Sequence, residues 1–473
     1  MTETVEAKAP GVERPGLMYA AGIIFAAWIG AAIFSSRCLY ADGAHEFVRV
    51  LQAQNFVAFM WSRHFAFYIY EFPLVLAIKL GVTNLAWLRL AFGLGCFLPW
   101  PVALFCCWRI SPKNFWLAVA GCGMGYLNAA IMAVGEHILA HALFWPALFV
   151  ILFARPLKPF AAVLLLVSAA AMLYTYESQV FLCLALALLA GWRSWREKQE
   201  RHRIWLVFLM AAALFFAGVT IGLCGVFMPE LPGNYGGLKT DTLHMLGHLG
   251  WTFTWTIAWA GLMLAVWFSK TVGRIISHKI VIGLLLAGLL VWGIWPLLMP
   301  DRLNTAIQYN NRALDVIVPL ALLPVALIAR FRPQWIEPRR GQLAQLAAGL
   351  LTAQSLWQIG VTWQWQGDVG KLQGLLSSHW GIVPLHTTIL GTCSIENQAL
   401  IFDWTWPCLS IALNPDRNIR SLIYSELFVT PAYRGKLWQP FDPLKVKTLP
   451  DLSHYGLDYS IYIAGLRAGT AGK

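Results

Sequence analysis

Eleven apolar runs, separated by connections of alternating character, restrict what this chain can fold into more than any other feature. They lie at about 17–36, 85–108, 114–134, 138–154, 159–176, 178–192, 204–228, 249–269, 280–298, 314–330 and 341–363. Most match the roughly 20 residues that a helix needs to cross a hydrocarbon core of ~30 Å. A backbone in lipid must satisfy its own hydrogen bonds, so such runs become helices. With 58% hydrophobic residues overall, the chain reads as an all-α polytopic membrane protein of about 11 transmembrane helices over 17–363. A polar tail, 1–16, precedes them, and its length and mixed charge do not match a cleavable signal.

Charge divides the connections into two sets. Five of them, 109–113, 155–158, 193–203, 269–279 and 330–340, hold 16 Lys/Arg against Glu197, Glu200 and Glu337. The others up to residue 340 are close to neutral and hold most of the acids. Since cationic loops stay in the cytoplasm, the N-terminus is expected inside. Residues 37–84 and the C-terminal 364–473 are expected on the outer, periplasmic face of a bacterial inner membrane. The net charge of +12 is thereby a matter of topology, with no nucleic-acid partner needed to explain it.

The outer stretch Arg37–Lys79 concentrates ionisable residues in a chain that is only 12% charged. Ionisable groups kept at a membrane edge commonly serve a substrate. His64, Tyr68, Glu71 and Lys79 share a helical stripe, which predicts a juxtamembrane helix lying in the interface. The last 110 residues change texture, with turn-rich segments and short β-like runs (381–390, 399–404, 421–429), and predict a small extracytoplasmic mixed α/β region. Most of the nine cysteines sit in apolar runs as small core residues. Cys393 and Cys408 share a polar region and could pair there, which spacing alone leaves open.

Several constellations are chemically suggestive. Asp42 and Glu46 are four apart, so one helical turn presents both carboxylates beside His45 and Arg49. Such a pair suits a general base, or ligation of a divalent ion such as Mg or Mn. Glu136, His137 and His141 open the fourth run. Asp241, His244 and His248 repeat the pattern before the eighth, again at a spacing compatible with metal. Arg312 opens the tenth run, where a guanidinium can grip a phosphate oxygen bidentately; Arg63 and Arg89 are further candidates. No Walker A loop, dinucleotide fingerprint, nucleophile elbow or CxxC motif is present.

This order of features resembles the GT-C superfamily of membrane glycosyltransferases, in particular bacterial aminoarabinose-transferase-like and protein-mannosyltransferase-like members. Asp42 stands where the family opens its first outer loop with a catalytic acid. Phe72-Pro73-Leu74 matches weakly a proline motif, and Gly81-Val82-Thr83-Asn84-Leu85-Ala86-Trp87-Leu88-Arg89-Leu90 matches a following Gly-Val…Arg-Leu stretch. Arg109–Lys113 is the basic turn, Glu136 the second acidic position, and Arg312 with Pro319 the entry to a late span. Two positions depart from the family: Gly43 follows Asp42 where an acid is usual, and Phe72 replaces the lysine before the proline.

The resemblance implies an inverting transfer of sugar from a polyprenyl-phosphate sugar donor to a glycan, lipid or protein acceptor at the outer bilayer face. Asp42 would be the base, with Glu46 and Glu136 orienting the acceptor or holding a cation. Arg312, Arg63 or Arg89 would stabilise the leaving phosphate. His45, His64, Tyr68, His137 and Tyr235 are candidate acceptor or sugar contacts, and Asp42, Glu46, His244 and His248 the candidate metal ligands. A transporter or flippase is the alternative from another class, and it would require ionisable groups deep in the helices.

Overall fold

The computed structural model describes residues 15–40, 42–58, 60–126, 135–177, 179–200, 204–228, 308–384, 405–414, 417–424 and 441–471. The expected runs at 249–269 and 280–298 lie outside the described residues, as do Tyr235, Asp241, His244 and His248. The described chain is mostly helical, with three helices long and apolar enough to cross a membrane, or up to five when each bent pair counts as one span. The three are α1 (Pro15–Phe34), α7 (Glu136–Phe153) and α10 (Trp205–Phe227).

Several runs differ from simple spans for identifiable reasons. The run at 85–108 is two helices, α4 (Leu85–Phe97) and α5 (Pro99–Ile110), bent by 43°. Pro99 and Pro101 lack the N–H groups that would continue the ladder. The run from 114 gives only α6 (Phe115–Gly121) and a π-helical turn, Cys122–Tyr126, before the described chain pauses. The run at 159–176 is the short α8 (Pro159–Ala171) plus one 3-10 turn, and 178–192 extends into the polar end of α9 (Gln179–Gln199). Helix α11 (Gln308–Phe331) turns back by 111° at Pro333 into α12 (Arg340–Ser378). With 39 residues and ~1.5 Å per residue, α12 is about 58 Å long. It therefore outruns any hydrocarbon core and continues past residue 363 towards the C-terminal region.

Helix α7 is the axis of the bundle: 89% of it is buried, against 33% of α1 and of α10. Glycines let its neighbours approach it. A side chain at Gly121 would collide with the Trp145 ring, and one at Gly125 with His141. Aromatic rings then tie the layers together, with Trp28 of α1 against Tyr126 (5.5 Å), Tyr126 stacked on Trp100 (5.2 Å), and Trp100 edge-on to His141 (4.8 Å).

Two shorter helices, α2 (Asp42–Ala53) and α3 (His64–Lys79), sit between α1 and α4. The α3–α4 turn is closed by Gly81 at φ 83°, with Val82 N–H bonded to the Ala77 carbonyl and Gly81 N–H to Ile78. The polar stripe of α3 is divided between inside and outside. Glu71 is buried, while Tyr68, Phe72 and Leu76 face outward together with Lys79. Rotating the helix this way gives Glu71 a polar partner inside and presents an apolar stripe to the surroundings.

Among the described residues, some charged groups of the two sets lie at opposite ends of α7. At one end Arg330 of α11 stands within electrostatic reach of Arg155, Arg193 and Arg196. Arg193 also donates to the Ile151 and Ala154 carbonyls at the last turn of α7. At the other end Arg63 meets Glu136 and Glu177. The C-terminal region forms a two-stranded parallel sheet, β1 (Gly381–Pro384) beside β2 (Ser421–Tyr424), with Gly381 opposite Ser421. Helices α13 (Trp406–Ala412) and α14 (Ser460–Ala471) pack on it, and α13 also contacts α2. Cys408 is buried on α13, and Cys393 lies outside the described residues.

Candidate functional site

The acidic end of the bundle is built from the first residues of several helices. The chain leaves α1 through a 3-10 turn, Arg37–Leu39, and enters α2 at Asp42, which is half-buried. An acid in the first turn complements the helix dipole, so Asp42 suits its place locally. One turn on, Glu46 is buried and its carboxyl faces that of Glu71 from α3. Glu71 also accepts the Val57 N–H at 2.8 Å.

Burial first, then the Glu71 charge and further acids at Glu136 and Asp42, push the Glu46 carboxyl well above the usual carboxylate range. Burial likewise raises Glu71, to about 7, against the bond from Val57 and the Arg49 charge. Like charges resist sharing a dry site, which favours the protonated form of Glu46. Glu46 is then a hydrogen-bond donor more than a base. His45 is fully buried beneath α2, and burial followed by the Arg49 charge lowers it to about 3, so its imidazole is neutral.

Next to this pair, Arg63 is enclosed by two carboxylates. Its Nη1 donates to Glu136 at 3.2 Å, and its Nη2 and Nε to Glu177 at 2.9–3.1 Å. Its guanidinium carbon lies 4.6 Å from the centre of the Tyr176 ring, and Ser62 donates a further bond to Glu177. Burial opposes the Arg63 charge, but Glu177 and Glu136 outweigh it and hold the guanidinium protonated. Burial would raise Glu177, and Arg63 more than reverses this, so that carboxyl stays below its ordinary range. Sequence reasoning placed Arg63 at a phosphate; the structure places it between two acids.

A third cluster lies deeper. Asp315 of α11 is buried between His141, whose Nδ1 is 2.7 Å from Oδ1, and His137, whose Nε2 is 3.4 Å from Oδ2. His141 is six residues into α7, and Asp315 eight into α11, roughly 8–11 Å along the axes at ~1.5 Å per residue. The i,i+4 histidines do share a face, but they flank a carboxylate. Among the described residues no three His, Cys, Asp or Glu side chains are placed to hold a metal ion.

Aromatic rings edge this end. Trp61 and Phe65 lie edge-on to Tyr174 at 5.6 and 5.3 Å, Phe56 is edge-on to Tyr68, and His64 is stacked over Tyr68 at 6.2 Å. Tyr68 and Phe56 are exposed. Arg89 stands apart: its Nη1 donates to the Ala412 carbonyl at 2.7 Å, in a cleft that shares no lining residue with the acidic groups. Arg312 is in the first turns of α11, and its side chain lies outside the described residues.

The structure thus brings Asp42, Glu46 and Glu136 into one electrostatic neighbourhood and adds Glu71, Glu177 and Asp315, which sequence reasoning did not select. The available signal was their position. All three are acids in otherwise apolar surroundings, outside the five Lys/Arg-rich connections. No family model matches the chain, and neither a curated protein nor a solved structure matches it.

Proposed function

We propose that the protein is a GT-C-like glycosyltransferase of the bacterial inner membrane. In this reading about 11 spans cross the bilayer with the N-terminus cytoplasmic, and the acidic end and C-terminal region face the periplasm. The donor is a polyprenyl-phosphate sugar, and the acceptor a glycan, lipid or protein hydroxyl. The observation that carries the reading is the division of labour among the acids. Glu136 and Glu177 are neutralised by Arg63, and burial favours the protonated forms of Glu46 and Glu71. Among the described members of the group, only Asp42 is not fully buried. A carboxylate that keeps part of its surface at the edge of such a cluster is placed to take a proton from a hydroxyl.

In the reaction the acceptor oxygen attacks the anomeric carbon as Asp42 accepts its proton. The bond to the polyprenyl phosphate breaks, and the anomeric configuration inverts. The exposed rings of Phe56 and Tyr68 offer a surface for sugar or lipid beside the base. Arg312 at the head of α11 remains the candidate for the leaving phosphate. No step is assigned to a metal ion.

One observation favours the alternative, a proton-coupled transporter. Asp315 between His137 and His141 is the kind of buried, hydrogen-bonded carboxylate that relays protons in membrane carriers. The deciding experiment uses the purified protein in liposomes with a panel of radiolabelled polyprenyl-monophosphate sugars. Asp42→Asn is nearly isosteric at a half-buried position, so it should fold normally. It should lower sugar transfer on the order of 10²–10⁴-fold, the usual contribution of a general base. Transfer at the wild-type rate in Asp42→Asn would refute the assignment. Solute uptake without transfer, sensitive to Asp315→Asn, would establish the transporter.

A further inference from the structure

The turn from α3 into α4 ends at Asn84, whose side-chain oxygen accepts the Ala86 N–H at 2.9 Å and the Trp87 N–H at 3.4 Å. Thr83–Ala86 and Arg89 form one wall of a cleft of about 200 Å³. Asn414, Arg417, Tyr455 and Leu457 of the C-terminal region form the other. Two guanidinium groups and, among the described residues, no carboxylate line it. Without a counter-ion, two cations facing one small cleft repel each other, and the positive end of the α4 dipole adds to the same field.

Both arginines are held in place. Arg89 is anchored through Nη1 on the Ala412 carbonyl, and its Nε is buried without a hydrogen-bond partner. Arg417 is pinned at its backbone, where its carbonyl accepts the Asp458 N–H at 3.0 Å. Its side chain lies across Gly456, which adopts φ 72° and where an added Cβ would stand 3.6 Å from Arg417 Cδ. The Asp458 carboxylate is turned to Ser460, whose N–H and hydroxyl both donate to it. Tyr455 fixes the wall to α2 through its hydroxyl, which donates to the Leu51 carbonyl at 3.0 Å. Because Asn84 already takes the Ala86 and Trp87 amides, an incoming anion would be met by the guanidiniums.

Beside the cleft, Trp87 is 65% and Leu80 74% exposed. Exposed tryptophan at the end of an apolar helix is characteristic of headgroup depth. We infer that this cleft binds a phosphate mono- or diester, with Arg89 and Arg417 forking onto its oxygens. Its volume suits a headgroup-sized group more than a larger ligand. The site does not depend on the transferase reading, because binding alone reveals it. It gives the C-terminal region a role in holding a phosphate against the membrane domain.

The test uses the full-length protein and Arg417→Gln. Arg417 is exposed, so its replacement leaves the packing intact, whereas Arg89 also supports Ala412. In the first arm, inorganic phosphate is titrated against chloride at equal ionic strength while thermal unfolding is followed. Phosphate should raise the wild-type midpoint saturably. Arg417→Gln should bind about tenfold more weakly or worse, as expected for losing a charged hydrogen-bonding partner. Arg417→Lys should fall between them. In the second arm, the proteins are purified from nanodiscs of phosphatidylcholine containing phosphatidylglycerol, and retained lipid is measured by native mass spectrometry. Selective retention of phosphatidylglycerol by wild type but not by Arg417→Gln identifies a lipid headgroup as the source. A response in the first arm alone identifies a soluble phosphate ester. Equal phosphate response and equal lipid retention in wild type and Arg417→Gln overturn the inference.

Discussion

Replacing Glu71 with Gln should change how stability depends on pH, in a direction set by the geometry. Glu71 faces Glu46 on α2, with Asp42, Glu136 and Arg49 as further charged neighbours of the pair. An unfolded glutamate titrates near 4.5, and the folded Glu71 near about 7. Between those values the folded protein binds the extra proton, so stability falls as pH rises through the window. One unit is worth about 1.4 kcal/mol, so the full penalty reaches about 3 kcal/mol once pH exceeds the folded value. His45 works the other way. It titrates near 6.5 when unfolded and near about 3 when folded, so it makes stability rise with pH across that interval. The two slopes oppose each other between 4.5 and 6.5, and above 6.5 the carboxyl pair acts alone. Wild type should therefore lose stability from about pH 6.5 to about pH 8. In Glu71→Gln a neutral amide can still accept the Val57 N–H and meet Glu46, so the Glu71 share of the loss should vanish while burial keeps the Glu46 share. The assay is thermal unfolding of the purified protein, followed by tryptophan fluorescence across that range. A Glu71→Gln profile parallel to wild type, or lower at every pH, would refute the protonation assigned to Glu71.

Two further outcomes follow from the same end of the bundle. Arg63→Ala should destabilise the protein by about 3–5 kcal/mol, because it strands two buried carboxylates. Adding Glu177→Gln should recover part of that loss in a double-mutant cycle, and additive losses would show that the pair is not coupled. Reporter fusions that are active only outside the cytoplasm should be active at positions 50 and 400 and silent at 111 and 198. Activity at 198 or silence at 50 would invert the proposed orientation.

Much of the layout was legible because hydropathy and charge act over long stretches. Helix α7 coincides closely with the apolar run at 138–154, and α10 with that at 204–228. Among the described residues, Arg155, Arg193, Arg196 and Arg330 lie at the end of α7 opposite Arg63, Glu136 and Glu177. The opening of α2 at Asp42 was legible as well, because an acid following an apolar run is a natural helix start. The breaks were harder to see. Pro99 divides one run into α4 and α5, and the glycines from Gly121 to Gly125 turn another into a short helix and a π-turn. Hydropathy averages over such residues.

What the sequence by itself determined is therefore the mostly helical, apolar character of the chain, the positions of helices such as α1, α7 and α10, and the stretch where ionisable groups concentrate. These follow from composition and periodicity, which are local. Partner choice was decided only by tertiary structure. Arg63 binds Glu136, 73 residues away, and Glu177, 114 away, while Asp315 meets His141 across 174 residues. Arg89 and Arg417 face one cleft although 328 positions separate them. The rotation of α3 was settled in the same way, since its own pattern allowed Glu71 to face water. Packed against α2, Glu71 finds the Glu46 carboxyl and the Val57 N–H inside the protein. A charge pattern shows which side chains are polar, but burial and proximity decide which of them are ionised, paired or left at the edge where a substrate can reach.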